Sequence, residues 1–159
     1  MDRKDKIHYY LDIADTVSKR STCIRRQYGA IIVRNDEIIS TGYNGAPRGR
    51  KNCGDLGHCT REELAVPSGE RYELCRSVHA ETNAIISAAR RDMLGATLFL
   101  SGRTYPNGPI LEDTTSCPMC RRHIINAGIT KIICHTGEGS YTVIEVRDWV
   151  FNDDSMPRK

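Results

Sequence analysis

The sequence predicts an α/β fold, in which helices pack on the faces of a mixed sheet. Two observations carry this prediction: an early hairpin pattern and a later alternation of helix-like and strand-like segments. Residues 28–42 read as two strands joined at Asn35–Asp36, and the later elements follow in the order helix, strand, helix, strand. The 159 residues are enough for one domain, 1–159, with a sizeable core.

The first half of the chain holds the other early elements. Apolar residues at helical spacing indicate an amphipathic helix over 3–20. Residues 43–59 are rich in Gly, Asn and charge, which predicts a long ordered loop of the kind that is usually functional or pinned by something. A helix is predicted over 79–91, with Ser77 as its cap, and a strand over 96–101.

The second half is punctuated by residues that begin and end helices. Pro118 suits the first turn of a helix over 118–127, which Gly128 would end. Residues 129–135 are predicted to form a strand. Residues 141–151 fit a strand or a helix equally well, and the tail after them is predicted to be loose.

The composition limits the partners and the compartment. The formal charge of +3 is too small for a protein that coats nucleic acid, but it is compatible with a small anionic substrate. The N-terminal stretch has no signal-peptide pattern, and no segment is apolar enough to span a membrane. We therefore expect a cytoplasmic protein whose seven cysteines are thiols or metal ligands, with neither nucleic acid nor membrane as partner.

Two short stretches, "HAE" and "CPMC", contain residues that typically bind a metal. His79, Cys117 and Cys120 offer one imidazole and two thiolates, the ligands that zinc prefers, and a catalytic zinc keeps a further position open for water. Each stretch lies near a predicted helix start, where the helix dipole favours thiolates. Two helix N-termini that converge at one edge of the sheet would bring the three residues together.

Glu81 gives this constellation a chemical role. It lies two residues after His79, so on a helix it faces away from the ligand but can still reach a bound water as general acid and base. His-x-Glu followed by a Cys-x-x-Cys pair is typical of zinc nucleobase deaminases, although here the Pro follows the first Cys. A Cys-x-x-Cys alone would equally fit a structural zinc half-site or a redox pair, and the combination favours a catalytic zinc.

The motifs resemble those of the deoxycytidylate (dCMP) deaminases, in the cytidine deaminase superfamily. The resemblance spans residues 5–150 and rests on "TCIRRQYGAIIV", "TGYNGAPRG", "ERYELCRSVHAETNAI" and "SCPMCRRHIINAGI". It implies a three-layer α/β/α fold around a five-stranded mixed sheet. It also implies zinc-dependent hydrolysis of dCMP to dUMP and ammonia, which supplies thymidylate synthesis. The enzyme would form a homo-oligomer, commonly a hexamer, that dCTP activates and dTTP inhibits, with Mg²⁺ accompanying the effector.

A nucleotide substrate needs residues for its phosphate, sugar and base. Arg26, and Arg121 or Arg122, are candidates for the phosphate because the planar guanidinium can bind two phosphate oxygens. Each could equally be a solvated surface residue. Asn44 resembles the family's sugar- and base-contacting Asn, with a turn Asn as the alternative, and Tyr141 could cap the nucleotide or belong to the core.

Two further groups of residues are predicted, one for an effector and one for a second metal. By resemblance, an effector site would involve Gly45, Arg48, Lys51 and Arg90, of which Arg90 could also be a plain exposed charge. Also by resemblance, a second, structural zinc would pin the long loop. We expect its ligands to be Cys53, Cys59 and Cys75, completed by Cys23 rather than His58, and ordinary reduced cysteines are the alternative.

Two competing functions remain open. Another zinc deaminase of the same fold could act on dCTP or on another nucleobase, such as a tRNA adenosine or a pyrimidine intermediate of riboflavin synthesis. A tRNA enzyme would need a more basic face than a net charge of +3 indicates. A non-catalytic zinc protein that binds nucleotides would have no use for Glu81, which is not a ligand.

Overall fold

One mixed sheet of five strands forms the centre of the molecule. The structure is a computed structural model that describes residues 1–152. The strands lie in the order β2–β1–β3–β4–β5, with β3 and β4 parallel and the other neighbours antiparallel. They are β1 (Arg26–Arg34), β2 (Glu37–Tyr43), β3 (Thr97–Thr104), β4 (Lys131–His135) and β5 (Tyr141–Glu145). The predicted five-stranded mixed sheet is confirmed.

Helices cover both faces of this sheet. They are α1 (Lys6–Ser18), α2 (Cys53–Leu56), α3 (Thr60–Glu63), α4 (Ala80–Ile86), α5 (Arg90–Met93), α6 (Pro118–Ala127) and α7 (Val146–Asn152), with a 3-10 turn at Tyr72–Leu74. Apolar residues of α1 pack with Ile31, Phe99 and Ile133 on one face. Residues of α4 to α7 pack with the alternate strand positions, such as Ile32 and Leu98, on the other. The three-layer α/β/α arrangement is therefore confirmed.

The hairpin between β1 and β2 forms where the sequence predicts it. Asn35 and Asp36 both have positive φ, 51° and 62°. Two successive positive φ values are typical of the type I′ turn, whose twist matches that of the two strands it connects. Asn and Asp tolerate this conformation better than most residues, which explains why the turn could be located from the sequence.

The prediction of one helix over 79–91 is wrong in two respects. Its cap is His79 and not Ser77, and it stops at Ile86, with the separate helix α5 starting at Arg90. The Ser40 hydroxyl donates to the carbonyl of Ala84 at 2.7 Å, near the end of α4. This bond comes from a strand far away in sequence and has no local signal.

Other boundaries also differ from the prediction. The first helix is shorter than 3–20, and the long loop contains the short helix α2. Residues 141–151 form strand β5 and then helix α7, so each of the two interpretations applies to one half of the segment. The predicted loose tail falls on 153–159, outside the described residues. Within residues 1–152, no helix has the length and apolar character to cross a membrane.

A glycine lets α4 lie directly on the sheet. A Cβ at Gly42 in β2 would lie 2.3 Å from the backbone nitrogen of Ala84 and 2.4 Å from the carbonyl oxygen of Ala80. Real Cβ atoms do not approach other atoms that closely, so the backbones of β2 and α4 can meet only at glycine. This contact fixes the position of α4, the helix that carries Glu81.

Candidate active site

The three predicted zinc ligands lie at the beginnings of two neighbouring helices. His79 is the N-cap of α4 and Cys117 is the N-cap of α6, where its sulfur accepts from the backbone N–H of Cys120 at 3.4 Å. Pro118 occupies the first turn of α6, as expected from its fixed φ and missing N–H. Because α4 and α6 pack against each other, their first turns hold the three side chains at one place.

The distances between these ligand atoms fit a zinc ion. Nδ1 of His79 lies 3.5 Å from Sγ of Cys117 and 3.4 Å from Sγ of Cys120. Zinc–nitrogen and zinc–sulfur bonds at tetrahedral angles would place such atoms roughly 3.5 Å apart. Within residues 1–152, this is the one group of three or more His, Cys, Asp or Glu residues whose ligand atoms lie within 4.8 Å of one another. We conclude that the residues present suit zinc.

The protonation states of the three residues reflect their proximity. Hydrogen bonding from Cys120 and from His79 lowers the pKa of the Cys117 thiol to about 4 despite its burial. Burial would lower the pKa of His79, but contact with Cys117 and Cys75 outweighs it and raises the value to about 10. The thiolate of Cys117 raises the pKa of Cys120. Metal binding requires deprotonated ligands, so it would release protons from His79 and Cys120.

Glu81 lies in the first turn of α4 and is almost fully buried, with 5% of its surface exposed. It lines the same cavity as His79 and Cys117, but its carboxylate does not belong to the compact group of ligand atoms. Burial raises the pKa of Glu81 above its ordinary value, and the charge of His79 opposes that shift. A buried carboxyl beside a metal group with an open position can take and return protons.

Contacts behind the ligands hold them in place. The ring of Tyr72 meets that of His79 edge-on, with centroids 5.3 Å apart. The hydroxyl of Thr82 lies 3.7 Å from Sγ of Cys120 and 3.0 Å from Nδ1 of His123. Such outer contacts usually fix the orientation and basicity of metal ligands. Neither Tyr72 nor Thr82 was identified from the sequence.

One cavity connects this group to a set of arginines. Besides His79, Glu81 and Cys117, its walls include three arginines and several polar or sulfur-containing side chains. These other lining residues are Cys23, Arg25, Arg26, Tyr28, Asn44, Cys59, Arg61, Ser68, Tyr72, Cys75, Ser77 and Thr115. Arg25 and Arg61 were missed by the sequence reasoning, although "IRR" already places Arg25 beside Arg26.

Two of the predicted substrate residues line the cavity. Arg26 lies with Nη1 3.4 Å from the Tyr28 hydroxyl and 3.6 Å from a carboxylate oxygen of Asp113. The side-chain amide of Asn44 donates to the carbonyl of Arg26 and accepts from the N–H of Tyr28, at 2.9 and 2.8 Å. Asn44 thus extends the pairing of β1, and its contact with substrate stays a prediction, as does that of Arg26.

The other two do not line it. Nε of Arg121 donates to the carbonyl of Ser116 at 3.0 Å, and its guanidinium lies over the ring of Trp149 at 5.1 Å. Tyr141 begins the edge strand β5 and meets His8 edge-on at 5.5 Å, on the α1 side of the sheet. The structure thus separates both side chains from His79 and Glu81, and their assignment to substrate stays a prediction.

The predicted effector residues lie in the segment after β2 and on α5. Gly45 pairs with Val78 in a short bridge just before His79. Arg48 and Lys51 are exposed in the loop that follows. Arg90 lies on α5, where its Nε donates to the carbonyl of Asn126 at 2.7 Å. None of these four lines the cavity, and an effector site built from them stays a prediction.

The four cysteines predicted to bind a second zinc surround one side of the cavity. Cys23, Cys59 and Cys75 line it, while Cys53 is buried at the start of α2. Burial raises the pKa of Cys53, and the three other thiols add to this shift. The four cysteines are less compact than the group around His79, because no three of their sulfur atoms lie within 4.8 Å of one another. His58 instead pairs with Glu63 at 3.4 Å.

Comparison with known proteins agrees with this chemistry. Residues 4–136 match the cytidine and deoxycytidylate deaminase zinc-binding region. The deoxycytidylate deaminase of Mycobacterium phage D29 is 34% identical over 138 residues, which are 84% of this chain and 96% of that protein. The deoxycytidylate deaminase of Schizosaccharomyces pombe is 35% identical over 128 residues, which are 80% of this chain but only 36% of that protein. The chain thus spans about a third of that yeast relative.

A solved structure supports the same assignment. The dCMP deaminase from the cyanophage S-TIM5, in complex with dCMP and dUMP, superposes with a TM-score of 0.57 at 27% identity. The match covers 84% of this chain and 83% of that one. Together with the His79, Cys117 and Cys120 ligand set, these matches show that the chain belongs to the family of the cytidine and deoxycytidylate deaminase zinc-binding region.

Proposed function

We propose that the chain catalyses the zinc-dependent hydrolytic deamination of dCMP to dUMP and ammonia. The observation that carries the proposal is the buried carboxyl of Glu81, which shares a cavity with the zinc-type ligands and with three arginines. The ligands suit activation of water, and the arginines suit the phosphate of a nucleotide. The names of the phage and yeast relatives point to the same substrate.

The chemistry assigns a distinct task to each group. Zinc held by His79, Cys117 and Cys120 would lower the pKa of a water molecule. Glu81 takes a proton from that water and delivers protons to ring N3 and then to the departing amine. A C4–O bond forms and the C4–N bond breaks, so dCMP and water give dUMP and ammonia. The raised pKa of Glu81 suits a group that must both accept and donate.

The cavity also suggests how the nucleotide is held. Arg26 is 47% exposed at its side chain and makes only long contacts, 3.4 Å to the Tyr28 hydroxyl and 3.6 Å to Asp113, so its guanidinium can turn to a phosphate. Asn44 has one amide hydrogen and one oxygen lone pair beyond its two backbone bonds, which suffices for a contact to sugar or base. These roles rest on position alone.

Further parts of the proposal concern the enzyme in its setting. We propose that it acts in the cytoplasm, supplies dUMP for dTMP synthesis and forms a homo-oligomer, with a hexamer as the expected form. Activation by dCTP and inhibition by dTTP, with Mg²⁺ on the effector, would involve Gly45, Arg48, Lys51 and Arg90. A second zinc at Cys23, Cys53, Cys59 and Cys75 would pin the long loop.

Ammonia release from the purified protein tests the proposal. Candidate substrates dCMP, dCTP, cytidine and deoxycytidine are compared in parallel, each with and without dTTP, and dCMP also with dCTP. We expect dCMP to be the best substrate. Preference for dCTP would indicate a broader nucleotide deaminase, and no release from any of the four by zinc-loaded protein would contradict the proposal.

A further inference from the structure

Arg61 differs from the other two arginines of the cavity. Arg25 pairs with Glu62 at 2.8 Å and Arg26 lies 3.6 Å from Asp113, and both of these arginines are exposed. Arg61 is 7% exposed, and no carboxylate of residues 1–152 lies within ion-pair distance of it. It is therefore a buried cation without a counter-ion.

The guanidinium of Arg61 is held in one orientation. Its Nη2 donates to the carbonyls of Pro67 and Glu70, at 3.0 and 2.6 Å, and the group lies over the ring of Tyr72 at 4.5 Å. Its Nε is buried and has no hydrogen-bond partner in the described chain, and Nη1 makes no bond to residues 1–152 either. The donors of Nη2 are thus used, and those of Nη1, which is not among the fully buried atoms, remain available to a ligand.

A buried cation with unused hydrogen-bond donors costs free energy unless a ligand supplies a counter-charge and acceptors. Buried cations in proteins are normally paired, and a buried donor without an acceptor loses the free energy of its former bonds to water. Carbonyl dipoles and the face of Tyr72 offset part of that cost. An anion that enters the cavity would supply the missing charge and acceptors.

The position of Arg61 indicates which anion fits. The ring of Tyr72 contacts both groups: the Arg61 guanidinium lies 4.5 Å from its centroid, and the centroid of the His79 ring lies 5.3 Å from it. One aromatic ring therefore contacts both a cation without a counter-ion and a metal ligand of the same cavity. A ligand with a ring amine at one end and an anion at the other suits this arrangement.

We propose that Arg61 binds the 5′-phosphate of the nucleotide and makes the site select nucleotides over nucleosides. This inference rests on the proposed function and adds a residue that determines its substrate class. The competing explanation is a purely structural Arg61 that clamps the segment 64–72 through its two carbonyl bonds. The two explanations differ in what happens to a substrate without a phosphate.

Arg61→Met tests the proposal, because it removes the charge but keeps an apolar side chain over Tyr72. We expect kcat/KM for dCMP to fall by about tenfold to a hundredfold while that for deoxycytidine stays unchanged. Arg61→Lys keeps a cation and should retain part of the preference for dCMP. Arg71→Met is the matched control, because Arg71 lies in the same segment but is exposed and paired with Glu73 at 3.0 Å.

Binding of dUMP and deoxyuridine, measured by calorimetry, gives a readout that does not depend on turnover. Arg61→Met should weaken dUMP and leave deoxyuridine unaffected. An equal loss for both, in activity or in binding, would overturn the proposal and support the clamp.

Wild-type protein that binds dUMP more tightly than deoxyuridine but does not deaminate dCMP would contradict the proposed function and leave the role of Arg61 in place. If Arg61→Met does not fold, as judged by circular dichroism, Arg61→Lys decides: equal loss for both ligands then overturns the proposal.

Discussion

Two groups of cysteines lie around one cavity, and they are held by different kinds of structure. Cys117 and Cys120 belong to the first turn of α6, a regular helix of ten residues packed against α4. Cys53, Cys59 and Cys75 lie in the long segment between β2 and α4, which contains only the four-residue helices α2 and α3 and one 3-10 turn, and Cys23 lies in the connection between α1 and β1. The first group is compact enough to bind an ion, and the second is more open.

The difference shows what fixes the geometry of a metal site. A helix N-terminus determines the separation of residues three apart, so "CPMC" places both sulfurs through local structure alone. The second group depends on backbone conformations such as the positive φ of Ala65 and Arg71, which neither residue favours. We therefore expect changes in the connecting segment to leave the geometry of the first group intact and to disturb that of the second.

The largest effect on zinc content and turnover is expected when serine variants of the two cysteine groups are compared. Cys120→Ser removes a ligand of the compact group, so bound zinc and dCMP turnover should both fall by more than about a hundredfold. Cys59→Ser should leave the catalytic zinc in place and remove one further zinc if the second site exists. For both variants, zinc per chain is measured by mass spectrometry and dCMP turnover is measured on the same samples. Normal activity of Cys120→Ser would contradict the assignment of the compact group.

A pair of glycines compares the two regions by stability. Gly42→Ala would force a Cβ into the backbone of α4, and we expect a loss of about 1–3 kcal/mol in the free energy of unfolding, together with reduced turnover because α4 carries Glu81. Gly54→Ala in α2 meets only a methyl of Ile24 at 3.8 Å, so it should be neutral or stabilising by up to about 1 kcal/mol. Urea denaturation measures both variants. Equal stability of the two would show that α4 does not depend on this contact.

The parts of the fold that the sequence could predict are those with local signals. The turn at Asn35–Asp36 and the helix between Pro118 and Gly128 occur where they were expected, because turn and cap residues act on their immediate neighbours. The break after Ile86 was missed because the residues that follow, 87–89, include no Gly or Pro that would mark the end of a helix. Strand β5 and helix α7 follow each other within residues 141–151, a segment whose sequence pattern fitted a strand and a helix equally well.

The candidate site shows the same division. His79, Glu81, Cys117 and Cys120 could be found because each type of residue has a defined chemical use and lies at a helix start. Arg61 and Tyr72 could not be found, since their role depends on burial and on a stacking contact that the chain makes only after folding. Arg121 follows the ligands in sequence, but the turn of α6 directs it to Ser116 and Trp149.

The most direct test of the account is a comparison of Glu81→Gln with wild-type protein, in which bound zinc, dUMP binding and dUMP formation from dCMP are measured on the same samples. Gln keeps the shape of the side chain but cannot accept and return a proton. We predict that zinc content and dUMP affinity stay close to wild type, while turnover falls about a hundredfold to ten-thousandfold. Turnover at the wild-type rate would contradict the central claim that Glu81 transfers the protons of a zinc-dependent deamination.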